Sequence, residues 1–324
     1  MLVLGIESSA HTFGVGIVKD GEVIANEKSM YSIGTHGMLP SRVAEFHAKV
    51  AKKVIGNALQ KAGVKIKEIE GIGYTKGPGI GTCLQIGLLA AKTLAYRLNV
   101  PIAPVNHAVA HIEIAKHFGK LKDPIALYVS GGNSQILKLD KLSMRYRVLG
   151  ETLDIGVGNM LDSFARSANL DPAWGSTVER VAKGGSYIAM PYTVKGMDFT
   201  FTGLLTYAKR QIGKARIEDL CYSLQETAYA MLCEATERAL LLAKSKELCV
   251  CGGVAQSTRL KEMLAKLASL HRTKFGYAPN EFNADNGAMI AYVAEKALKS
   301  GHAEKLDACT ITQKYRIENA EVYI

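Results

Sequence analysis

The sequence predicts an α/β protein of two lobes in which one plan of strands and helices is used twice. Three observations carry this. A chain of 324 residues exceeds the size at which a single core stops growing. Its front and back halves each open on a strand, a turn of small residues and a second strand. Strands then alternate with helical stretches, the pattern of layered α/β architecture. The division falls at 1–122 and 123–324, the last segment being free to pack back on the first lobe.

Taken in order, Leu2–Glu7 and Thr12–Val18 are apolar runs joined by Ser8-Ser9-Ala10, and Val23-Ile24-Ala25 follows Lys19-Asp20-Gly21-Glu22. They make a three-stranded antiparallel start. A helix is expected from about Ser41 to Ala62, with Pro40 at its head. After Ile72-Gly73-Tyr74 the loop Lys76–Thr82 opens a helix over Cys83–Leu98. Pro101 and Pro104 keep the next stretch out of a helix, and Asn106 is a good N-cap, so a helix should start at His107. The back half repeats the opening with Ile125–Val129, Ser130-Gly131-Gly132 and Ser134–Leu139, then a strand near Tyr146–Leu149. Later, Leu248–Cys251 runs into Gly252-Gly253-Val254 and another helix. No sequence identity is readable between the halves; the repeat is one of architecture.

Apolar residues make up 48% of the chain, enough for real cores, and lysine plus arginine exceed acids by 40 to 30, a formal charge of +10. That balance favours polyanionic partners, although the cations are scattered over helices rather than gathered in one run. Every long apolar stretch is broken by charge or glycine, which argues against a membrane span. The start of the chain reads as a first strand rather than a signal peptide, so a cytoplasmic protein is expected. Six cysteines, at 83, 221, 233, 249, 251 and 309, show no zinc-ribbon spacing. They read as reduced, with Cys249 and Cys251 on one face of a strand.

Two features carry chemistry. His107 and His111 stand four apart, which on a helix puts them on one face with Cβ atoms about 5–6 Å apart. Both can address one ion, with Asp285 of Asn283-Ala284-Asp285-Asn286-Gly287 closing from another segment. The spacing alone equally fits polar positions on a surface helix. His117 is turned about 280° from His107 on the wheel and should not join. Second, the turns Ser8–Ala10, Ser130–Gly132 and Gly252–Val254 expose backbone N–H groups that can cradle phosphates, though each also reads as a plain turn.

Six blocks in order along nearly the whole chain resemble the tRNA N6-adenosine threonylcarbamoyltransferase family. They are KGPGIG (Lys76–Gly81), VNHAVAH (Val105–His111), YVSGGNSQ (Tyr128–Gln135), GETLDIGVGN (Gly150–Asn159), DFTFTG (Asp198–Gly203) and DNGAMI (Asp285–Ile290). The archaeal and eukaryotic branch, the catalytic subunit of the KEOPS complex, is the nearer match. The resemblance implies a duplicated RNase H-like fold of the actin, Hsp70 and sugar-kinase type, with ATP or threonylcarbamoyl-adenylate in a cleft between lobes. It implies transfer of the threonylcarbamoyl group from that adenylate to N6 of the adenosine 3′ of the anticodon in tRNAs reading codons that begin with A, with release of AMP. One divalent metal per subunit, iron before zinc, would sit on His107, His111 and Asp285, with Tyr128 at the metal. Tyr128, Val129, Ser130, Gly131 and Gly132 would line the substrate, and Asp162, Gly175, Glu179 and Ser257 the nucleotide, Glu179 at the ribose. A small atypical protein kinase and a dimerising subunit would be partners beside tRNA, whose binding to the isolated chain should be weak.

The chain departs from the family pattern in four places. Ser257 stands where an asparagine usually meets the adenine, and Trp174-Gly175-Ser176-Thr177 replaces a Gly-Gly-Pro-Lys-like turn. Gln85 occupies a position where arginine is common, and Ser8-Ser9 is nearer the bacterial first turn. These departures leave room for a non-catalytic ATP-binding subunit of the same complex, or a paralogue of other nucleotide preference. A sugar or acetate kinase would leave the histidine pair unexplained. A metalloprotease would want a glutamate base in the motif, where this chain has Ala108.

Overall fold

In the computed structural model, residues 1–32 and 39–323 are described. The elements run β1 (Leu2–Glu7), β2 (Thr12–Lys19), β3 (Glu22–Met30), α1 (Pro40–Ala62), β4 (Gly71–Gly77), α2 (Gly81–Leu98), β5 (Ile102–Asn106) and α3 (His107–Gly119). They continue with β6 (Ile125–Val129), β7 (Ser134–Asp140), β8 (Arg145–Glu151), α4 (Val157–Ser167), α5 (Gly175–Ala182), β9 (Val194–Lys195), β10 (Asp198–Phe199), α6 (Thr202–Arg210) and α7 (Ile217–Leu242). Last come β11 (Glu247–Cys251), α8 (Thr258–Leu270), β12 (Lys274–Gly276), α9 (Asn280–Asn283) and α10 (Gly287–Lys299). The short hairpin of β9 and β10 was not legible in the sequence, since two-residue strands carry no periodicity.

The chain forms two compact units. The first takes Met1–Ile114, Asp140–Tyr146 and Ala284–Ile324, the second Ala115–Leu139 and Arg147–Asn283. Each holds a five-stranded sheet, ordered β3-β2-β1-β4-β5 in one and β8-β7-β6-β11-β12 in the other. In both, the leading strand pairs antiparallel with the next in sequence (β1 with β2, β6 with β7) and parallel with a later one (β1 with β4, β6 with β11). The opening read twice from the sequence, a strand, a turn of small residues, a second strand and a third beside it, is present in both units, while the edge strands β5 and β12 lie outside that reading; α/β is the observed class.

Alternation along the strands positions the rest of the first unit. Leu2, Leu4 and Ile6 of β1, Phe13, Val15 and Ile17 of β2, and Ile72 and Tyr74 of β4 enter a core shared with Val54 and Ala58 of α1 and Ala91 and Ala95 of α2. Apart from Val3, the residues that alternate with them toward the other face are glycines: Gly5, Gly14, Gly16, Gly71 and Gly73. On this side α10 lies nearly in backbone contact with the sheet. A Cβ at Gly5 would stand 2.1 Å from the Ala291 amide nitrogen, and one at Gly16 2.1 Å from that of Ala288. Glycine is required there by proximity, not by turn geometry.

The second unit buries Ile125, Leu127 and Val129 of β6 with Met160 and Phe164 of α4, Leu224 and Met231 of α7, and Leu260 and Leu264 of α8. Cys249 and Cys251 are buried, and all six cysteines are free thiols. No helix among the described residues is long and apolar enough to cross a membrane.

Candidate functional site

The helix α3 begins at His107, directly after β5, and the side chain of Asn106 makes that junction. Its Oδ1 accepts from the amides of Ala108 (3.0 Å) and Val109 (3.2 Å), and its Nδ2 donates to the Tyr315 carbonyl. Two of the amide donors that a helix start leaves without partners are thereby satisfied. The cap fixes the first turn, and the 107/111 spacing puts both imidazoles on one side, ring centroids 4.7 Å apart and nearly perpendicular. Asp285 arrives from the other end of the unit. Asn286 caps α10 through Oδ1, accepting from the Met289 amide at 3.0 Å, so the residue before it is held at a helix entrance.

The three side chains meet. Nε2 of His107 lies 3.5 Å from Asp285 Oδ1, Nε2 of His111 3.3 Å from the same atom, and the possible ligand atoms all lie within 4.8 Å of one another. Donors about 2.1 Å from one ion at tetrahedral angles stand roughly 3.4 Å apart, so the arrangement has the span of a metal site. His107 and His111 are buried and Asp285 partly exposed, leaving one side for further ligands. Two imidazoles and a carboxylate suit iron or zinc. His117 is not in this group; its ring packs edge-on against Phe118.

Sequence reasoning missed Glu7, the last residue of β1. It is wholly buried, and its Oε2 lies 3.0 Å from His107 Nδ1 and accepts from Thr75 Oγ1 at 2.8 Å, while Oε1 accepts from the Ser9 amide at 2.6 Å. A signal was there. Glu7 is two residues beyond Gly5, hence on the same face of β1, the side covered by α10.

Electrostatics follow from this packing. Burial opposes charge on His107, but the carboxylates of Glu7 and Asp285 outweigh it and lift its pKa to about 9. At His111 burial prevails and lowers the value. Burial also opposes ionisation of Asp285 and Glu7, yet His107 beside both, with His111 beside Asp285, holds each below its ordinary range. Both carboxylates are thus anionic at neutral pH, as a metal ligand and its supporting group must be.

The remaining positions named from the sequence lie in the second unit. Tyr128 and Val129 end β6 and are buried, and Ser130, Gly131 and Gly132 form the turn to β7. Gly131 and Ser130 carbonyls accept from the amides of Asn159 and Gly158 at the start of α4. Gly252, at φ +95°, follows β11, and a Cβ on it would meet the Val129 carbonyl oxygen at 2.3 Å. Asp162 Oδ1 accepts from the Gly175 amide at 2.7 Å, joining α4 to the start of α5. Glu179, one turn on, accepts from the Arg259 amide at 3.2 Å. Ser257 is buried and its Oγ caps α8, accepting from the Leu260 amide. Asp162, Gly175 and Glu179 are therefore joined in one neighbourhood that includes Arg259, with Ser257 at the head of the same helix.

The sequence profile of the family described as tRNA N6-adenosine threonylcarbamoyltransferase (TsaD) matches residues 21–292. A Thermococcus sibiricus protein of that name is 46% identical over 325 residues, covering 99% of each chain. One from Encephalitozoon cuniculi is 45% identical over 329 residues, covering 99% of this chain and 98% of its own. Among solved structures, HypF of T. kodakarensis superposes with a TM-score of 0.64 at 17% identity, covering 94% of this chain and 48% of that one; this likeness shows a shared fold. With a profile match over most of its length and relatives above 40% identity end to end, the chain belongs to the tRNA N6-adenosine threonylcarbamoyltransferase family.

Proposed function

We propose that the chain transfers a threonylcarbamoyl group from threonylcarbamoyl-adenylate to N6 of the adenosine 3′ of the anticodon in tRNAs reading A-starting codons, assisted by one divalent metal. The family membership supports the activity, and the convergence of His107, His111 and Asp285 supports the metal. These three residues would hold the ion, iron before zinc. When bound, it would act as a Lewis acid that eases departure of AMP, which matters because the adenine amine is a poor nucleophile.

The chain's own residues prepare the site. Glu7 accepts a hydrogen bond from His107 Nδ1–H, so the proton that a bound ion would displace is the one on Nε2, which would then be the electron-pair donor toward the ion. Buried surroundings keep His111 neutral and able to ligate. The nucleotide half of the donor is assigned to Tyr128–Gly132, Asp162, Gly175, Glu179 and Ser257, and Tyr128 additionally to the metal; these roles rest on the family resemblance. We also assign tRNA, a small atypical protein kinase and a dimerising subunit as partners, and the cytoplasm as location.

The observation that carries the reading is that two imidazoles on one helix meet a carboxylate from a distant segment. Purified protein with tRNA, threonine, bicarbonate, ATP and an adenylate-forming enzyme, with and without candidate subunits, should yield modified nucleoside. His107→Ala and His111→Ala should lose bound metal and product together. Full activity in a metal-free variant overturns the mechanism.

A further inference from the structure

Within the first unit, a second polar contact ties α3 to α10, away from the metal ligands. Glu113 comes two residues after His111, about 200° further round the helix. It is only 2% exposed, yet it carries a carboxylate. One oxygen accepts from the Tyr146 hydroxyl at 2.7 Å, and the other lies 3.3 Å from Lys296 Nζ in the last turn of α10. The same ammonium stands over the Tyr292 ring, 4.8 Å from its centroid. The two helices that bear on the metal site are therefore joined twice: where Asp285, just ahead of α10, meets the imidazoles, and where Lys296 meets Glu113. An ion pair taken out of water seldom adds stability over apolar side chains of the same size, because desolvation offsets the attraction. What such a pair can supply is a fixed direction.

We propose that Glu113 and Lys296 are positioning residues for the metal: the pair fixes how α3 leans against α10, and so the span from His107 and His111 to Asp285. This rests on the metal reading above and deepens it by naming what sets the dimensions of the site. The Asn106 cap holds only the first turn of α3, and a helix held at one end can still tilt. His111 is four residues beyond His107, roughly 6 Å along the axis, so a tilt of about 5° at the cap displaces it by about 0.5 Å. Metal–ligand distances tolerate only about 0.2 Å. Glu113 lies further along the helix than either histidine, where a hold opposes that tilt with the longest lever. The Tyr146 hydroxyl occupies the other oxygen and keeps the carboxylate turned toward the ammonium.

Cobalt(II), followed by its visible absorption and by competition with a chelator, is the probe. In a protein carrying both Glu113→Gln and Lys296→Met, the carboxamide oxygen can still accept from Tyr146 and the methionine fills the space of the lysine stem, so the melting temperature should hold or rise. Cobalt affinity should nevertheless fall by about tenfold, a size typical of effects exerted through positioning, and the absorption bands should shift with the altered geometry. Lys296→Arg keeps the cation and should retain most of the affinity. A role in stability alone predicts the reverse, a lower melting temperature with affinity and absorption unchanged, and that result overturns the proposal. If the double variant does not fold, Lys296→Gln, which alters one half-exposed side chain, should weaken cobalt binding in the same direction, and unchanged affinity there overturns the proposal equally. His111→Ala separates this from the reading beneath it: cobalt bound as tightly as by the unmodified protein overturns the metal site itself, and the positioning role with it.

Discussion

Glu7 illustrates how one residue supports a site it does not enter. Its carboxylate holds the proton of His107 at Nδ1 and is itself held by Thr75 and the Ser9 amide. Such supporting groups typically alter metal affinity by about 10- to 100-fold. Glu7→Gln keeps the size but loses the charge and turns one of the two accepting oxygens into a donor facing a donor, so it should weaken metal binding within that range and cost about 1–3 kcal/mol of stability. Competitive titration with a coloured chelator reads the affinity, and unchanged affinity in a folded Glu7→Gln protein contradicts the role. At this scale the sequence was legible where local geometry decides. The histidine pair follows from helical spacing and the Asn106 cap, both within five residues. Glu7 was not, because a carboxylate at a strand end normally faces solvent, and only the packing of α10 over the glycine face buries it.

The element that governs the first unit is α10, whose approach depends on glycines across the sheet. Added Cβ atoms at Gly5 and Gly16 would strike backbone atoms of Ala291 and Ala288, not movable side chains. Gly16→Ala must therefore push the helix off the sheet, at about 1–3 kcal/mol or more. Because Ala288 is three residues past Asp285, the shift should also weaken metal binding. Gly56, within α1, has nothing within 4 Å of an added Cβ. Gly56→Ala should raise stability by about 0.5–1 kcal/mol through helix propensity. Denaturant melts of the two variants, with a metal titration of the first, check the contrast; a neutral Gly16→Ala would show the contact to be compliant. Periodicity made α1, α2 and the opening strands of each sheet legible. It could not reveal that β4 and β5 extend the first sheet in parallel, since such pairing is long-range and leaves no alternating polar face to read.

Across the whole molecule, a net charge of +10 favours attraction of a polyanionic substrate. Transfer measured at subsaturating tRNA should fall by at least about tenfold between 50 and 200 mM salt, with the rate at saturating tRNA much less affected. A salt-independent rate would place recognition elsewhere. The fold class was legible at this scale because a strand, a turn of small residues and a second strand open both halves, with helices alternating with strands after them. The composition of the first unit was harder to read: it draws on three separate stretches of chain, and only tertiary contact decides which stretch belongs with which.

That threefold assembly bears on biogenesis. While the polypeptide is still emerging from the ribosome, both imidazoles are made well before the carboxylate that joins them, and the helix resting on the glycine floor comes later still. The nascent protein therefore passes through a long interval with an incomplete donor set, in which an ion has only two neighbouring histidines to hold it, and durable metallation must wait until the closing segment has been translated and docked.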